Sequence, residues 1–166
     1  MKKIWAPWRM QYIESSVKSK KKDECIFCRA VKGRDDSKYY VINRFKTCFS
    51  LLNIFPYNNG HIMISPYKHV ADLDDMNTDE HADLMALVVY TRKLLTKAFK
   101  PQGFNIGINL GQVAGAGIVD HVHIHVVPRW NGDTNFMPVI SDTKIVSQSL
   151  KDTYDALIKI DKKSKK

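Results

Sequence analysis

Apolar residues recur at every second position in two stretches of this 166-residue chain, "FNIGINL" (104–110) and "HVHIHVV" (121–127), and "YYVIN" (39–43), "TCFSLLN" (47–53) and "HIMISP" (61–66) are short, largely apolar runs. Alternation and short runs with β-branched and aromatic residues both predict strands. "PYNNG" (56–60) reads as a turn between two of them. Over "TDEHADLMALVVYTRKLLTKAF" the period lengthens, and Leu84, Leu87, Val88, Leu94, Leu95 and Ala98 fall on one helical face. Thr78 is the expected N-cap, acidic residues follow it, and "KPQG" stops the helix. A second helix is expected from about Asp142 to Ile160. Five strands, mostly in hairpin order, with one long helix inserted and another at the C-terminus, predict an α+β fold on an antiparallel sheet. His81, near the start of the first helix, reads as a surface residue.

Length and composition add a single domain over 1–166, with 44% hydrophobic and 26% charged residues, as in an ordinary soluble globule. Residues 1–24 read as an N-terminal arm and 161–166 as a loose basic tail. No apolar run is long enough to span a membrane, and "MKKIWAPWRM" breaks too early for a signal peptide, so a cytoplasmic location is the expectation. The net charge is +9, part of it in "KSKKK" (18–22) and "KKSKK" (162–166). Such runs are ordinarily solvated; they also set up a field that attracts phosphate-rich ligands. No aromatic-basic stripe supports nucleic acid as a partner.

The cysteines are Cys25, Cys28 and Cys48. An odd count argues against a disulfide framework. "CIFC" (25–28) alone signals little, because a zinc site needs two more ligands and a redox pair needs a thioredoxin-like context. Cys48, inside a strand-like run, reads as packing.

The candidate chemistry lies in "DHVHIHVVPRW" (120–130). His121, His123 and His125 share one face of the expected strand, with the valines and the isoleucine on the other. Neighbours on that face stand about 7 Å apart at Cα, so one metal ion reaches two of the rings but not all three. A polar sheet face or a two-histidine metal clip remains an alternative, but a row of three suits a polyanion better. Just upstream, "NLGQVAGAGIVD" holds Gly115 and Gly117, where positive φ would let backbone N–H groups converge on an anion. A plain hairpin loop is the other reading of these glycines.

"HVHIHVV" matches the H-φ-H-φ-H-φ-φ signature and resembles the histidine triad family of nucleotidyl hydrolases and transferases. The resemblance covers nearly the whole chain, since "CIFC", "LLN", "GHIMISPYKH" and "AGAG" fall in that family's order and spacing. "WAPWRMQYI" and "VVPRWNGDTNFM" are similar to its bacterial and archaeal diadenosine tetraphosphate phosphorylase branch. The resemblance implies an antiparallel sheet with a long helix, paired as a homodimer or a higher homo-oligomer.

It also implies roles. His123 would be the nucleophile that forms a nucleotidyl-histidine, with its other ring nitrogen held by an acceptor such as a backbone carbonyl; His125 would contact phosphate oxygens, and His61 would stand one strand over from the triad. Asn53 would bind ribose hydroxyls, and Asn109 would lie near the phosphates, with the loop Gly115, Ala116 and Gly117. Phe27, Phe49 and Ile54 are candidates to sandwich the base, and Trp130 belongs to the candidate nucleotide-binding set. Family members with C-x-x-C bind a structural zinc, which here implies Cys25, Cys28, His69 and His121. A divalent cation such as Mg²⁺ would accompany the substrate phosphates. One departure stands out: Gly117 and Ile118 occupy positions where many members carry Gln and Ser or Thr. The lost side chain would make room for inorganic phosphate as acceptor.

The expected function is phosphorolysis of a dinucleoside polyphosphate. The alternatives are a hydrolase of nucleoside phosphoramidates or dinucleoside polyphosphates and, from another class, a non-catalytic nucleotide-binding module or a basic zinc-bearing nucleic-acid binder.

Overall fold

The computed structural model describes residues 25–33, 35–135 and 146–165. The N-terminal arm with "WAPWRMQYI" and its lysine run, and most of the segment after Asn135, lie outside the described residues. Five strands form one antiparallel sheet: β1 (Val41–Arg44), β2 (Cys48–Leu52), β3 (Ile62–Pro66), β4 (Gly103–Ile108) and β5 (Ile124–Arg129), in the order β1-β2-β3-β5-β4. Among the described residues three α-helices accompany it: α1 (Ile26–Lys32), α2 (Thr78–Phe99) and α3 (Leu150–Ser164).

Strand alternation sorts the side chains into two packed layers. Ile42, Cys48, Leu52, Ile62, Ile64, Ile124 and Val126 meet Leu84, Leu87, Val88, Leu94 and Leu95 of α2 and Leu157 of α3. Val41, Phe49, Leu51 and Met63 point to the other side, where they meet Phe27 and Ala30 of α1. β2 and β3 are therefore buried along their whole length. The two core clusters are separate, and the histidines go with the smaller one.

The boundaries move in instructive ways. The N-cap of α2 is Asn77 rather than Thr78. Its side chain accepts from the Glu80 N–H at 2.9 Å, while Glu80 Oε2 accepts from the Asn77 N–H at 2.8 Å. This reciprocal box needs a Glu or Gln three positions after the cap, and three positions after Thr78 stands His81. Lys100 ends the helix in the left-handed region, with φ of 49°. The C-terminal helix begins at Leu150, capped by Ser149; of the earlier start, residues 142–145 lie outside the described residues and 146–149 are not helical. Nor is 161–164 a loose tail. It is the last turn of α3, because the buried Asp161 carboxylate accepts from Asn43 Nδ2 at 2.8 Å and from the Tyr90 hydroxyl at 2.5 Å. α1, which carries Cys28, is a helix that the sequence pattern does not predict. Finally, β5 begins at Ile124, so His121 and His123 precede the strand. There the Val122 N–H donates to the Val70 carbonyl and the Ser65 hydroxyl to the Val122 carbonyl, in place of a ladder.

Candidate functional site

The site lies on the face that carries α1. His125 is paired with Met63 across β3 and β5, and His61 stands two residues before Met63 on the same face. His123 and His125 are near neighbours, with ring centroids 4.8 Å apart. His121 is separated from them by Phe27, whose ring lies 5.1 Å from His121 and 5.0 Å from His123. The row is thus split by an aromatic wedge from α1.

On one side of the wedge four ligand atoms converge. His121 Nδ1 lies 3.3 Å from Cys25 Sγ, 3.7 Å from Cys28 Sγ and 3.2 Å from His69 Nδ1, and Cys28 Sγ lies 3.2 Å from His69 Nδ1. All four atoms fall within 4.8 Å of one another. A tetrahedral ion with bonds of about 2.0 Å to nitrogen and 2.3 Å to sulfur sets its ligands about 3.3–3.8 Å apart, so this set fits one metal ion. The far nitrogen of His121, Nε2, lies 3.0 Å from the Pro66 carbonyl and donates to it, which fixes the ring with Nδ1 toward the sulfurs. Burial pushes the His121 pKa down, against a smaller opposing pull from that carbonyl.

On the other side, His123 Nδ1 lies 2.9 Å from the His121 carbonyl. A carbonyl only accepts, so the hydrogen is on Nδ1 and the lone pair of the neutral ring is on Nε2. Burial lowers the His123 pKa, again opposed by its carbonyl partner, and the neutral form is favoured. His61 is almost fully buried and meets His125 through Nε2 and Nδ1, 2.9 Å apart.

The other candidates divide. Asn53 lies beside His61, with its amide nitrogen 3.3 Å from His61 Nδ1. Asn109 donates to the Gly115 carbonyl at 3.4 Å and so ties β4 to the glycine loop. In that loop Gly111 and Gly115 have positive φ, 78° and 91°, whereas Gly117 does not. The N–H groups of Gly115 and Ala116 bond to the Gln112 and Gly111 carbonyls of the same loop. Phe27 and Phe49 are fully buried, Ile54 is half exposed, and Trp130 donates its Nε1–H to the Phe99 carbonyl at the end of α2. Cys48 is packed as expected, and burial together with the Asp83 carboxylate pushes its thiol up to about 12. His81 is exposed and bonds to the Leu73 carbonyl.

A domain model described as the HIT domain matches residues 34–132, which include the whole triad. The chain belongs to the histidine triad family. It is 37% identical over 157 residues to the AP-4-A phosphorylase of Mycobacterium tuberculosis H37Rv, covering 92% of this chain and 80% of that protein. It is 35% identical over 107 residues to an adenosine 5'-monophosphoramidase of Schizosaccharomyces pombe, covering 64% of this chain and 75% of that one. Among solved structures, a zinc-bound histidine triad family protein from Mycobacterium smegmatis superposes with a TM-score of 0.68 at 26% identity, over 86% of this chain and 98% of that one.

Sequence reasoning missed one member of this histidine triad site. Tyr57, placed in a plain turn, packs its half-exposed ring at a tilt, 4.6 Å from His61 and 5.6 Å from His125. Its backbone N–H donates to His61 Nδ1 at 3.1 Å. No side-chain pattern signals a backbone donor.

Proposed function

We propose that this chain is a nucleotidyltransferase that cleaves diadenosine tetraphosphate by phosphorolysis. The carrying observation is the bond from His123 Nδ1 to the His121 carbonyl, which leaves the Nε2 lone pair of a neutral imidazole to attack phosphorus. Nε2 bonds to the α-phosphorus of one adenosine, the bond from that phosphorus to its bridging oxygen breaks, and ATP departs. An oxygen of inorganic phosphate then attacks the same phosphorus, the P–N bond breaks, and ADP leaves with His123 restored. His125 stabilises the charge on the phosphoryl oxygens.

The similarity to the mycobacterial phosphorylase over most of both chains supports this substrate and this acceptor. The similarity to a phosphoramidase favours a second reading, hydrolysis of nucleoside phosphoramidates or dinucleoside polyphosphates. A non-catalytic nucleotide-binding module is the remaining reading. Asn53 and Asn109 would bind ribose and phosphates, with the Gly115–Gly117 loop beside them; the half-exposed Ile54, with Trp130, would meet the nucleoside, and the fully buried Phe27 and Phe49 would pack behind the site. Mg²⁺ would accompany the phosphates. Cys25, Cys28, His69 and His121 would hold a structural zinc, since two thiolates and two imidazoles close the coordination sphere. A homodimer would form through β4, an edge strand that exposes Ile106 and is followed by the exposed Leu110.

The test is a product assay on diadenosine tetraphosphate with and without inorganic phosphate. ADP and ATP that appear only with phosphate, and vanish with His123→Ala, support phosphorolysis. AMP and ATP formed without phosphate would move the assignment to the hydrolase. No turnover with either acceptor would favour the binding module.

A further inference from the structure

The two working rings, His123 and His125, are neighbours with different hydrogen-bond partners, and those partners set different tautomers. For His123 the partner is a carbonyl, as described. For His125 it is His61, and the state of His61 is decided in turn by backbone.

A backbone N–H can only donate. Tyr57 N–H donates to His61 Nδ1 at 3.1 Å, so that nitrogen carries a lone pair. Asn53 adds a second donor. Its Oδ1 accepts from the Phe55 N–H at 2.9 Å, which turns the amide nitrogen toward His61 Nδ1, 3.3 Å away. With Nδ1 accepting, the single hydrogen of neutral His61 sits on Nε2. That nitrogen lies 2.9 Å from His125 Nδ1, which must therefore accept, and the hydrogen of His125 is left on its own Nε2. His123 thus presents a bare Nε2 and His125 an Nε2–H.

The loop that imposes this is anchored from outside. Asn58, the residue after Tyr57, donates to the Pro128 carbonyl at 3.1 Å and to Asp133 Oδ2 at 2.8 Å. Asp133 also accepts from Arg129 Nε at 2.6 Å and from the Trp130 N–H at 3.1 Å. The chain after β5 therefore holds the loop that sets the ring on β5.

We propose that the 53–61 loop is a tautomer-setting device. Asn53, the Tyr57 backbone and His61 act as positioning residues that keep His125 a hydrogen donor toward phosphoryl oxygens, beside a His123 that is held as a bare nitrogen nucleophile. An imidazole in the opposite tautomer would offer a lone pair to an anion and repel it. The proposal rests on the nucleotidyl-transfer reading for its purpose but not for its geometry.

The experiment is long-range ¹H–¹⁵N correlation on metal-loaded protein with ¹⁵N-labelled histidine. The expected result is a hydrogen on Nε2 of His61 and His125 and on Nδ1 of His123. A hydrogen on Nδ1 of His125 or of His61 would overturn the proposal. In a second arm, His61→Phe keeps a ring in the pocket but removes both nitrogens. His125 should then populate both tautomers, and kcat should fall about tenfold to a hundredfold with KM nearly unchanged, the scale seen when a group orienting a working histidine is lost. An unchanged kcat with His125 still held in one tautomer would count decisively against it. If the tautomers are as stated and no dinucleotide turns over, the functional reading falls alone.

Discussion

The two faces of the sheet are built from the same strands and by different rules. The face under α2 and α3 is a dry layer of leucine, isoleucine and valine, with one buried carboxylate, Asp161, held by Asn43, Tyr90 and Lys165. The face under α1 has a small apolar patch and, beside it, His61, His121, His123 and His125. On the second face the wedge of Phe27 separates a closed set of four metal-type ligands from rings that keep a nitrogen for chemistry. A single sequence row can therefore serve two purposes, because each imidazole has two nitrogens and the partner of one decides what the other can do.

The sharpest way to break this division is His123→Ala. Turnover should fall by about 10⁴-fold or more, as when a covalent nucleophile is removed, while thermal unfolding shows that the fold is kept. Residual turnover within tenfold of the parent would remove His123 from its role. Next comes the metal set. Cys28→Ser, or stripping with a chelator, should destabilise the fold by about 3 kcal/mol, a Tm loss of about 6–12 °C at this chain length. Metal content per chain, measured alongside, must fall with it; a Tm that does not respond would make the cluster dispensable.

The opposite face supplies the contrast. Burial raises the Asp161 pKa, but hydrogen bonds from Lys165, Tyr90 and Asn43 outweigh it and leave the carboxyl below its ordinary value. Its folded pKa is thus lower than its unfolded one, so the stabilisation is present above about pH 4 and is lost as the pH falls through the depressed folded value. Asp161→Asn should cost about 2 kcal/mol at neutral pH and flatten urea stability across that acidic window, with turnover retained. A variant whose acid dependence matches the parent would show that other carboxylates govern it. The smallest expected effect is Gly117→Gln, which should raise hydrolysis relative to phosphorolysis a few-fold when both products are counted. An unchanged ratio would leave the missing side chain without consequence.

Much of this could be read from residues alone. The five strands, the long helix and its apolar face followed from period, since a pleated strand and a helix expose different spacings of side chain to one core. The alternation of "HVHIHVV" placed the three histidines on one face, although His121 and His123 turn out to precede the strand. Resemblance added Cys25, Cys28, His69 and His121 as one ligand set, and the structure brings their ligand atoms together.

Position by itself could not show which nitrogen of each ring is used. That depends on the His121 and Pro66 carbonyls and the Tyr57 N–H, groups that every residue carries and that only the folded chain aims. Nor could it show that the N-cap of α2 is Asn77 rather than Thr78, or that Gly111 rather than Gly117 takes positive φ, because neighbouring residues of similar type compete for one place and the surrounding hydrogen bonds choose. Phe27 illustrates the division best. Its aromatic ring made it a candidate to sandwich the base, but its burial against His121 and His123 was set by α1 docking against the sheet. Sequence thus determined which side chains share a face. Tertiary structure decided which of them touch, because contact and tautomer depend on backbone groups brought together from distant parts of the chain.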